Sequence, residues 1–168
     1  MAGPHTLDET ERQVEVKLGG LTLDYTAMAV ASNLFRAANA VRNHFERTVL
    51  ARVNLSWTAF VVLWVTWIWE PIETRQIALE GGFSKATLTG VLSTLENRGW
   101  LVRSRSAADG RLVDVSLTED GRALMTELFP AFNGQEQRVV SPLTAADRER
   151  LAQLLREVTT GLEAPSAG

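Results

Sequence analysis

The chain has no cysteine among its 168 residues. Disulfide bonds, cysteine-based zinc sites, thiol nucleophiles and thiol redox sensors are therefore all excluded. It has two histidines, His5 and His44, which lie far apart in the sequence, so a metal site would need carboxylate ligands as well. The sequence contains no glycine-rich phosphate loop, no HExxH and no GxSxG motif. We expect no cofactor, no metal site and no catalytic residues, and hence a protein that is not an enzyme.

Long apolar runs are also missing. The most apolar run, Thr58 to Trp69, is shorter than the roughly 20 residues that a membrane-spanning helix needs. A secretory signal peptide needs an unbroken apolar stretch near the start of the chain. That region instead contains Asp8, Glu9, Glu11, Arg12 and Glu15. We therefore expect a soluble, cytoplasmic protein without a membrane partner.

The chain also lacks an excess of positive charge. Seventeen Lys and Arg residues stand against twenty Asp and Glu, a net charge of −3, so any contact with DNA needs a local basic patch. Such a patch is present between Ser84 and Arg111, where five cations and two carboxylates give a net +3 and leave −6 for the rest of the chain. Its cations are Lys85, Arg98, Arg103, Arg105 and Arg111.

Apolar periodicity predicts several helices. A long helix begins after Asp24, a plausible N-cap, and carries the stripe Val30, Leu34, Ala37, Val41, Phe45 and Val49. The segment Trp57 to Trp69, capped by Ser56, is apolar nearly all round, which predicts a helix buried on all sides. Pro71 ends it. Residues 1–23 form either an arm or a short extra helix.

Two further helices are predicted near the carboxyl end. The first follows the N-cap Thr118, and Pro130 should kink it while Asn133-Gly134 weakens it. The second follows Thr144, which with Asp147 resembles a capping box. Its apolar stripe consists of Leu151, Leu154, Leu155, Val158 and Leu162.

Between these regions lies the pattern of a winged helix-turn-helix. A short helix over residues 73–80 and a Gly81-Gly82 turn precede a helix from Lys85 to about Arg98, for which Ser84 is the N-cap candidate. The pattern then alternates with period two over residues 100–104 and 112–117, around the turn signal Ala107-Ala108-Asp109-Gly110. The predicted fold class is mainly α with a small β-wing.

The residue types on this pattern suit DNA. Leu88, Val91, Leu92 and Leu95 form the inner face of the second helix, and small or hydroxyl side chains occupy the opposite face. Such side chains let the backbone approach the bases, and hydroxyls bond bases or phosphates. Lys85 lies at the helix N-terminus, where a phosphate also meets free N–H groups. The wing carries Arg103, Arg105 and Arg111. An ordinary exposed helix and a solvated turn are the alternatives.

Several motifs together resemble the MarR family of bacterial transcriptional regulators. They are Ser84-Lys85-Ala86-Thr87-Leu88-Thr89-Gly90-Val91-Leu92, Leu95-Glu96, Gly99-Trp100-Leu101-Val102-Arg103, Asp109-Gly110-Arg111 and Leu117-Thr118-Glu119-Asp120-Gly121. The similarity extends from about Leu23 to Leu162. It implies a homodimer joined by its terminal helices, in which each winged helix-turn-helix contacts one half-site of a pseudo-palindrome.

The resemblance also assigns roles to residues and regions. Ser84, Lys85, Thr87 and Thr89 look like DNA contacts, and Arg111 looks like the wing-tip arginine that Asp109 braces. Many members have a basic residue where this chain has Gly90, so the half-site sequence does not transfer. The predicted regions are an arm (1–23), helical dimerisation segments (24–54 and 119–163), a DNA-binding lobe (55–118) and a tail (164–168).

Family members commonly bind small aromatic ligands, and this chain has five tryptophans. The resemblance implies a ligand site walled by His44, Arg47, Trp57, Phe60, Trp64, Phe129 and Phe132. Aromatic side chains with a few polar groups suit a flat organic ligand, but core packing explains the same residues. Two other functions also stay open: a winged helix that binds proteins, and a small-molecule binder that does not bind DNA. Repression is the default only through the resemblance.

Overall fold

The computed structural model describes residues 5–106 and 109–163, which form seven α-helices, a 3₁₀ helix and three short strands. The predicted tail, 164–168, lies outside the described residues. The elements are α1 (Leu7–Leu18), α2 (Tyr25–Arg47), the 3₁₀ helix (Leu50–Val53), α3 (Trp57–Trp69), β1 (Ile72–Glu73), α4 (Thr74–Gly81), α5 (Lys85–Asn97), β2 (Leu101–Arg105), β3 (Val113–Leu117), α6 (Glu119–Val139) and α7 (Ala145–Glu163). The chain divides into two compact units, with the boundary after His44.

The first unit contains α1 and most of α2. Of the two alternatives for residues 1–23, the structure has the helix: Thr6 and Glu9 form a capping box at the start of α1. The Asn33 side chain on α2 donates a 2.9 Å hydrogen bond to Glu11 on α1. The predicted cap of α2 is confirmed, because the Asp24 carboxylate accepts the Ala27 amide at 2.8 Å.

Helix α3 is the centre of the second unit. Helices α4, α5 and α6 and strand β3 contact it. Six positions between Ala59 and Thr66 are buried, and the other two, Val61 and Trp64, are half-buried. The prediction of burial on every side is wrong at the last turn, where Ile68 is 49% and Trp69 is 63% exposed. An apolar sequence produces burial only where neighbouring elements cover the helix, and they leave its last turn uncovered.

The three strands form one antiparallel sheet in the order β1-β3-β2. In the wing, Leu101 is paired with Leu117 and Arg105 with Val113, within one residue of the predicted strands. Strand β1, in which Ile72 is paired with Val115, was not predicted. Two residues are too few to show an alternating pattern.

Helix α6 continues through Pro130 and Asn133-Gly134 to Val139, so the predicted weak point does not end it. Phe129 and Phe132, on either side of the proline, both take part in ring contacts with residues of α3. Tertiary packing of this kind outweighs the helix-breaking tendency of one proline and one glycine.

One acidic side chain connects three elements of the second unit. Glu70 follows α3, its side chain is only 14% exposed, and it accepts the backbone N–H of Leu117 at 2.6 Å. It also forms an ion pair with Arg122 of α6, which donates a 3.1 Å hydrogen bond to the Leu117 carbonyl. The end of α3, the end of β3 and the first turns of α6 are therefore held together beneath the wing.

Candidate nucleic-acid interface

Helix α5 is positioned by its cap and by its apolar face. The Ser84 hydroxyl accepts the Thr87 amide at 3.1 Å, as the sequence predicts. Leu88, Leu92 and Leu95 are buried. The preceding turn reverses at Gly82, whose φ of +64° is readily adopted by glycine. The opposite face of α5 is thereby directed outward.

That outward face presents small and hydroxyl-bearing side chains. Lys85, Ala86, Thr87, Thr89 and Gly90 are all exposed. The Thr89 hydroxyl donates a 2.8 Å hydrogen bond to the Lys85 carbonyl, and the Thr87 hydroxyl lies 2.8 Å from that of Ser84. Because the Thr89 proton is engaged with the helix backbone, its oxygen remains available as an acceptor on this exposed residue. Acceptors of this kind suit the amino groups of adenine and cytosine in the major groove.

The wing turn is organised by Asp109. Its carboxylate accepts the backbone N–H of Arg111 at 2.9 Å, and its carbonyl accepts the Leu112 amide, also at 2.9 Å. The Asp109 carboxylate, which the family resemblance implies as the brace of Arg111, thus holds the backbone of that residue. Asp109, Gly110 and Arg111 are exposed. The first two residues of the predicted turn, Ala107 and Ala108, lie outside the described residues.

The wing arginines differ in their surroundings. Arg103 faces α5, where its Nε donates a 3.1 Å hydrogen bond to Glu96 and its Nη2 completes an ion pair. This hydrogen bonding lowers the pKa of the Glu96 carboxyl and raises the pKa of Arg103. Arg105 is exposed at the end of β2. The positive charge of Arg103 is thus partly compensated by Glu96 within the lobe, whereas Arg105 and Arg111 are exposed to solvent.

A basic groove that was not predicted from the sequence connects α4 to the wing. It is lined by Thr74, Arg75, Ala78, Lys85, Leu88, Thr89, Leu92, Arg103 and Val113. Arg75 is exposed on α4 and was not among the predicted contacts. Only the three-dimensional arrangement shows it beside Lys85, because the two residues lie ten positions apart on different helices.

The predicted ligand-site aromatics, together with Phe45 and Trp67, form two clusters of rings that are joined by a stacked contact between Phe129 and Phe132 at 6.2 Å. The first contains Phe45, Trp57, Phe60 and Phe132, with ring centroids 4.2 to 6.4 Å apart. Apart from Trp57, which is half-buried, its members are buried at 4% exposure or less, as expected for core packing. The second contains Trp64, Trp67 and Phe129, all half-buried. Trp64 and Phe129 are stacked at 4.6 Å with 15° between the ring planes.

The two polar members of the predicted ligand site lie on α2. His44 is half-buried and belongs to the first unit, while Arg47 is exposed at the end of the helix. The residue between Phe45 and Arg47, Glu46, has a structural contact: its carboxylate accepts the backbone N–H of Trp57 at 2.8 Å. This contact stabilises the start of α3, since a negative charge is favourable at a helix N-terminus.

Two features are absent from the described residues. Within 5–106 and 109–163, no helix combines the length and apolar character needed to cross a membrane. The same residues hold no cluster of three or more histidine and acidic side chains arranged to bind a metal ion.

Comparison with known proteins agrees with this geometry. The sequence profile of the MarR family matches residues 55–113. YwaE of Bacillus subtilis, an uncharacterised HTH-type transcriptional regulator, is 39% identical over 84% of this chain and 82% of its own length.

Solved structures give the same result. BpsR of Bordetella bronchiseptica, described in a study of how 6-hydroxynicotinic acid regulates its DNA binding, is similar with a TM-score of 0.71 and 31% identity, covering 77% of this chain and 98% of BpsR. A probable transcriptional regulator of Pseudomonas aeruginosa has a TM-score of 0.68 and 26% identity, covering 77% and 96% of the two chains. The chain belongs to the MarR family of transcriptional regulators, and α4, α5 and the β2–β3 wing are its winged helix-turn-helix.

Proposed function

We propose that the protein is a homodimeric repressor that binds a pseudo-palindromic operator through α5 and the wing. The observation that carries the proposal is the outward face of α5, with Ser84, Lys85, Thr87 and Thr89 exposed together. Arg105 and Arg111 are exposed on the adjoining wing. Helix α5 supplies groups for base edges and the arginines supply positive charge for phosphates or the minor groove.

Exposed apolar side chains support the dimer. On α7, Leu151, Leu154, Leu155 and Val158 are each about 40% exposed and Leu162 is 82% exposed. On α2, Val30, Leu34 and Phe35 are 56%, 37% and 71% exposed. Rows of this kind on terminal helices are what a second subunit would cover, and obligate dimers commonly bury more than about 2,000 Å². Segments 24–54 and 119–163 are accordingly the proposed dimerisation regions, and 55–118 the DNA-binding lobe.

Light scattering and gel shift test the dimer and its DNA binding together. We expect a particle of twice 18.5 kDa at micromolar concentration, and one such dimer on each operator duplex. The operator is obtained by selection from a random duplex pool. Affinity should fall steeply between 50 and 200 mM salt, because each phosphate contact releases counterions. A stable monomer, or binding that is insensitive to salt, would contradict the proposal.

We further propose that a small aromatic acid binds beside Trp64 and weakens operator binding. Two observations support this: the half-buried cluster of Trp64, Trp67 and Phe129, and the likeness to BpsR, whose DNA binding is described as regulated by 6-hydroxynicotinic acid. Trp57 belongs to the other, more buried cluster, so the site is placed at Trp64. A coupling free energy of about 1–3 kcal/mol between ligand and DNA would weaken binding roughly 5- to 150-fold.

Fluorescence titration separates the ligand site from core packing. Titration with 6-hydroxynicotinic acid or salicylate should quench the tryptophan fluorescence of the wild-type protein and release the operator over the same concentration range. Trp64→Phe should lose most of the quench. Trp57→Phe is the matched control and should retain it. If neither acid changes the fluorescence or the DNA equilibrium, the tryptophans are core packing.

A further inference from the structure

Arg98, the residue that follows α5, bonds a distant part of the chain. Its Nη1 donates a 2.8 Å hydrogen bond to the carbonyl of Asn54, and its Nη2 donates a 2.9 Å bond to the carbonyl of Val53. The guanidinium also lies over the ring of Trp100, 3.6 Å from the ring centroid. One side chain therefore makes two hydrogen bonds and a cation–π contact at the end of α5.

The two carbonyls belong to the turn that leads into α3. Asn54 adopts a left-handed conformation with φ of 50°, and its N–H donates to the Ala51 carbonyl at 3.2 Å. Carbonyls at the end of a helical turn lack partners within it and are commonly satisfied by side chains. Arg98 satisfies both, so it fastens the end of α5 to the turn that precedes Ser56 and α3.

The next two residues, Gly99 and Trp100, connect the end of α5 to the start of α6. The Thr118 hydroxyl donates a 2.6 Å hydrogen bond to the Gly99 carbonyl, and the Thr118 amide donates a 3.1 Å bond to the Trp100 carbonyl. Residues 98–100 thus connect α5 on one side to the 53–54 turn and on the other to the start of α6. Both connections act at the end of α5, in addition to the packing of its buried leucine face.

We propose that Arg98 is a positioning residue for operator recognition, which fixes the orientation of α5 and thereby the spacing of half-sites that the dimer accepts. This inference rests on the proposed function, in which two α5 helices must enter the DNA grooves about one helical turn apart. A planar guanidinium bonds two carbonyls and stacks on an indole at once, whereas a lysine ammonium does not reproduce that geometry. Loosening the contact lets α5 tilt, and operators of incorrect spacing are then tolerated better.

Arg98→Lys tests the inference because it keeps the positive charge. Long-range attraction to phosphates is therefore nearly unchanged, and a change in spacing preference reports on geometry. The probes are the selected operator and a derivative with one base pair inserted between its half-sites. We expect the wild type to prefer the selected operator by about tenfold or more, since an added base pair shifts and rotates one half-site. In Arg98→Lys this ratio of Kd values should fall at least threefold.

Two controls accompany the binding assay. Asn54→Gly keeps both carbonyls and allows the left-handed backbone, so its spacing ratio should equal that of the wild type. Hydrogen exchange of the full-length dimer should show faster exchange in residues 50–57 of Arg98→Lys and unchanged exchange in α7. An unchanged spacing ratio in Arg98→Lys would overturn the inference while leaving the proposed function intact. If the wild type selects no paired half-sites, both fail.

Discussion

Replacing Gly121 by alanine is expected to lower the free energy of unfolding by about 3 kcal/mol, even though alanine is the better helix former. Gly121 lies in the first turn of α6 and is buried against residue 100. A Cβ at this position would lie 1.9 Å from the Trp100 carbonyl oxygen and 2.9 Å from its carbon. These are backbone atoms, so the strand or the helix must move. The same carbonyl accepts the Thr118 amide, and movement would strain that bond as well.

Gly90→Ala is the matched control for this prediction. Gly90 is also inside a helix, but a Cβ added there meets no atom within 4 Å. Its replacement should raise the free energy of unfolding by about 0.5–1 kcal/mol, through helix propensity alone. Guanidinium denaturation of the three proteins, at equal concentration and without DNA, gives both values. If Gly121→Ala is as stable as the wild type, α6 does not pack on residue 100 as described.

Replacing Arg111 by alanine should greatly weaken operator binding while leaving the fold intact. The side chain is exposed at the wing turn, so its removal should change the free energy of unfolding by less than about 0.5 kcal/mol. Loss of an arginine contact to DNA costs roughly 1–3 kcal/mol for each site. With one wing on each subunit, the dimer should lose at least about 30-fold in affinity. Gel shift at physiological salt measures the loss.

Arg103→Ala provides the comparison, because it removes the same charge from the same wing. Arg103 is already engaged with Glu96, so it offers less to a phosphate, and its replacement should weaken binding less than that of Arg111. Two results would count against this assignment of roles. One is wild-type affinity in Arg111→Ala, and the other is a larger loss in Arg103→Ala.

Local signals explain why much of the fold could be predicted from the sequence. The caps are an example, since the hydroxyls of Ser56 and Ser84 accept amides three residues further on, at 3.2 and 3.1 Å. The bounds of α3 were predicted to the residue for the same reason, with Ser56 before it and Pro71 after it. These interactions depend on residues within one turn of helix, so the sequence pattern contains them.

Features that depend on distant residues could not be predicted. The exposure of Trp69 depends on which elements cover the end of α3, and the continuation of α6 through Pro130 depends on ring packing against α3. In the candidate site, the sequence predicts which small and hydroxyl side chains lie on the outward face of α5, and Ala86, Thr87, Thr89 and Gly90 are exposed there. The Arg103–Glu96 pair needs the contact between β2 and α5, and the bonds of Arg98 span 44 and 45 positions of the chain.

Hydroxyl-radical footprinting of the wild-type protein on its selected operator shows how many half-sites it occupies and how they are related. If two subunits each insert α5 and a wing into one duplex, both strands should show two equivalent protected half-sites. Their centres should lie about one helical turn, ~10 bp, apart and be related by a twofold axis. Protection of a single unpaired half-site, or of no defined sequence, would contradict the account of this protein as a dimeric operator-binding regulator.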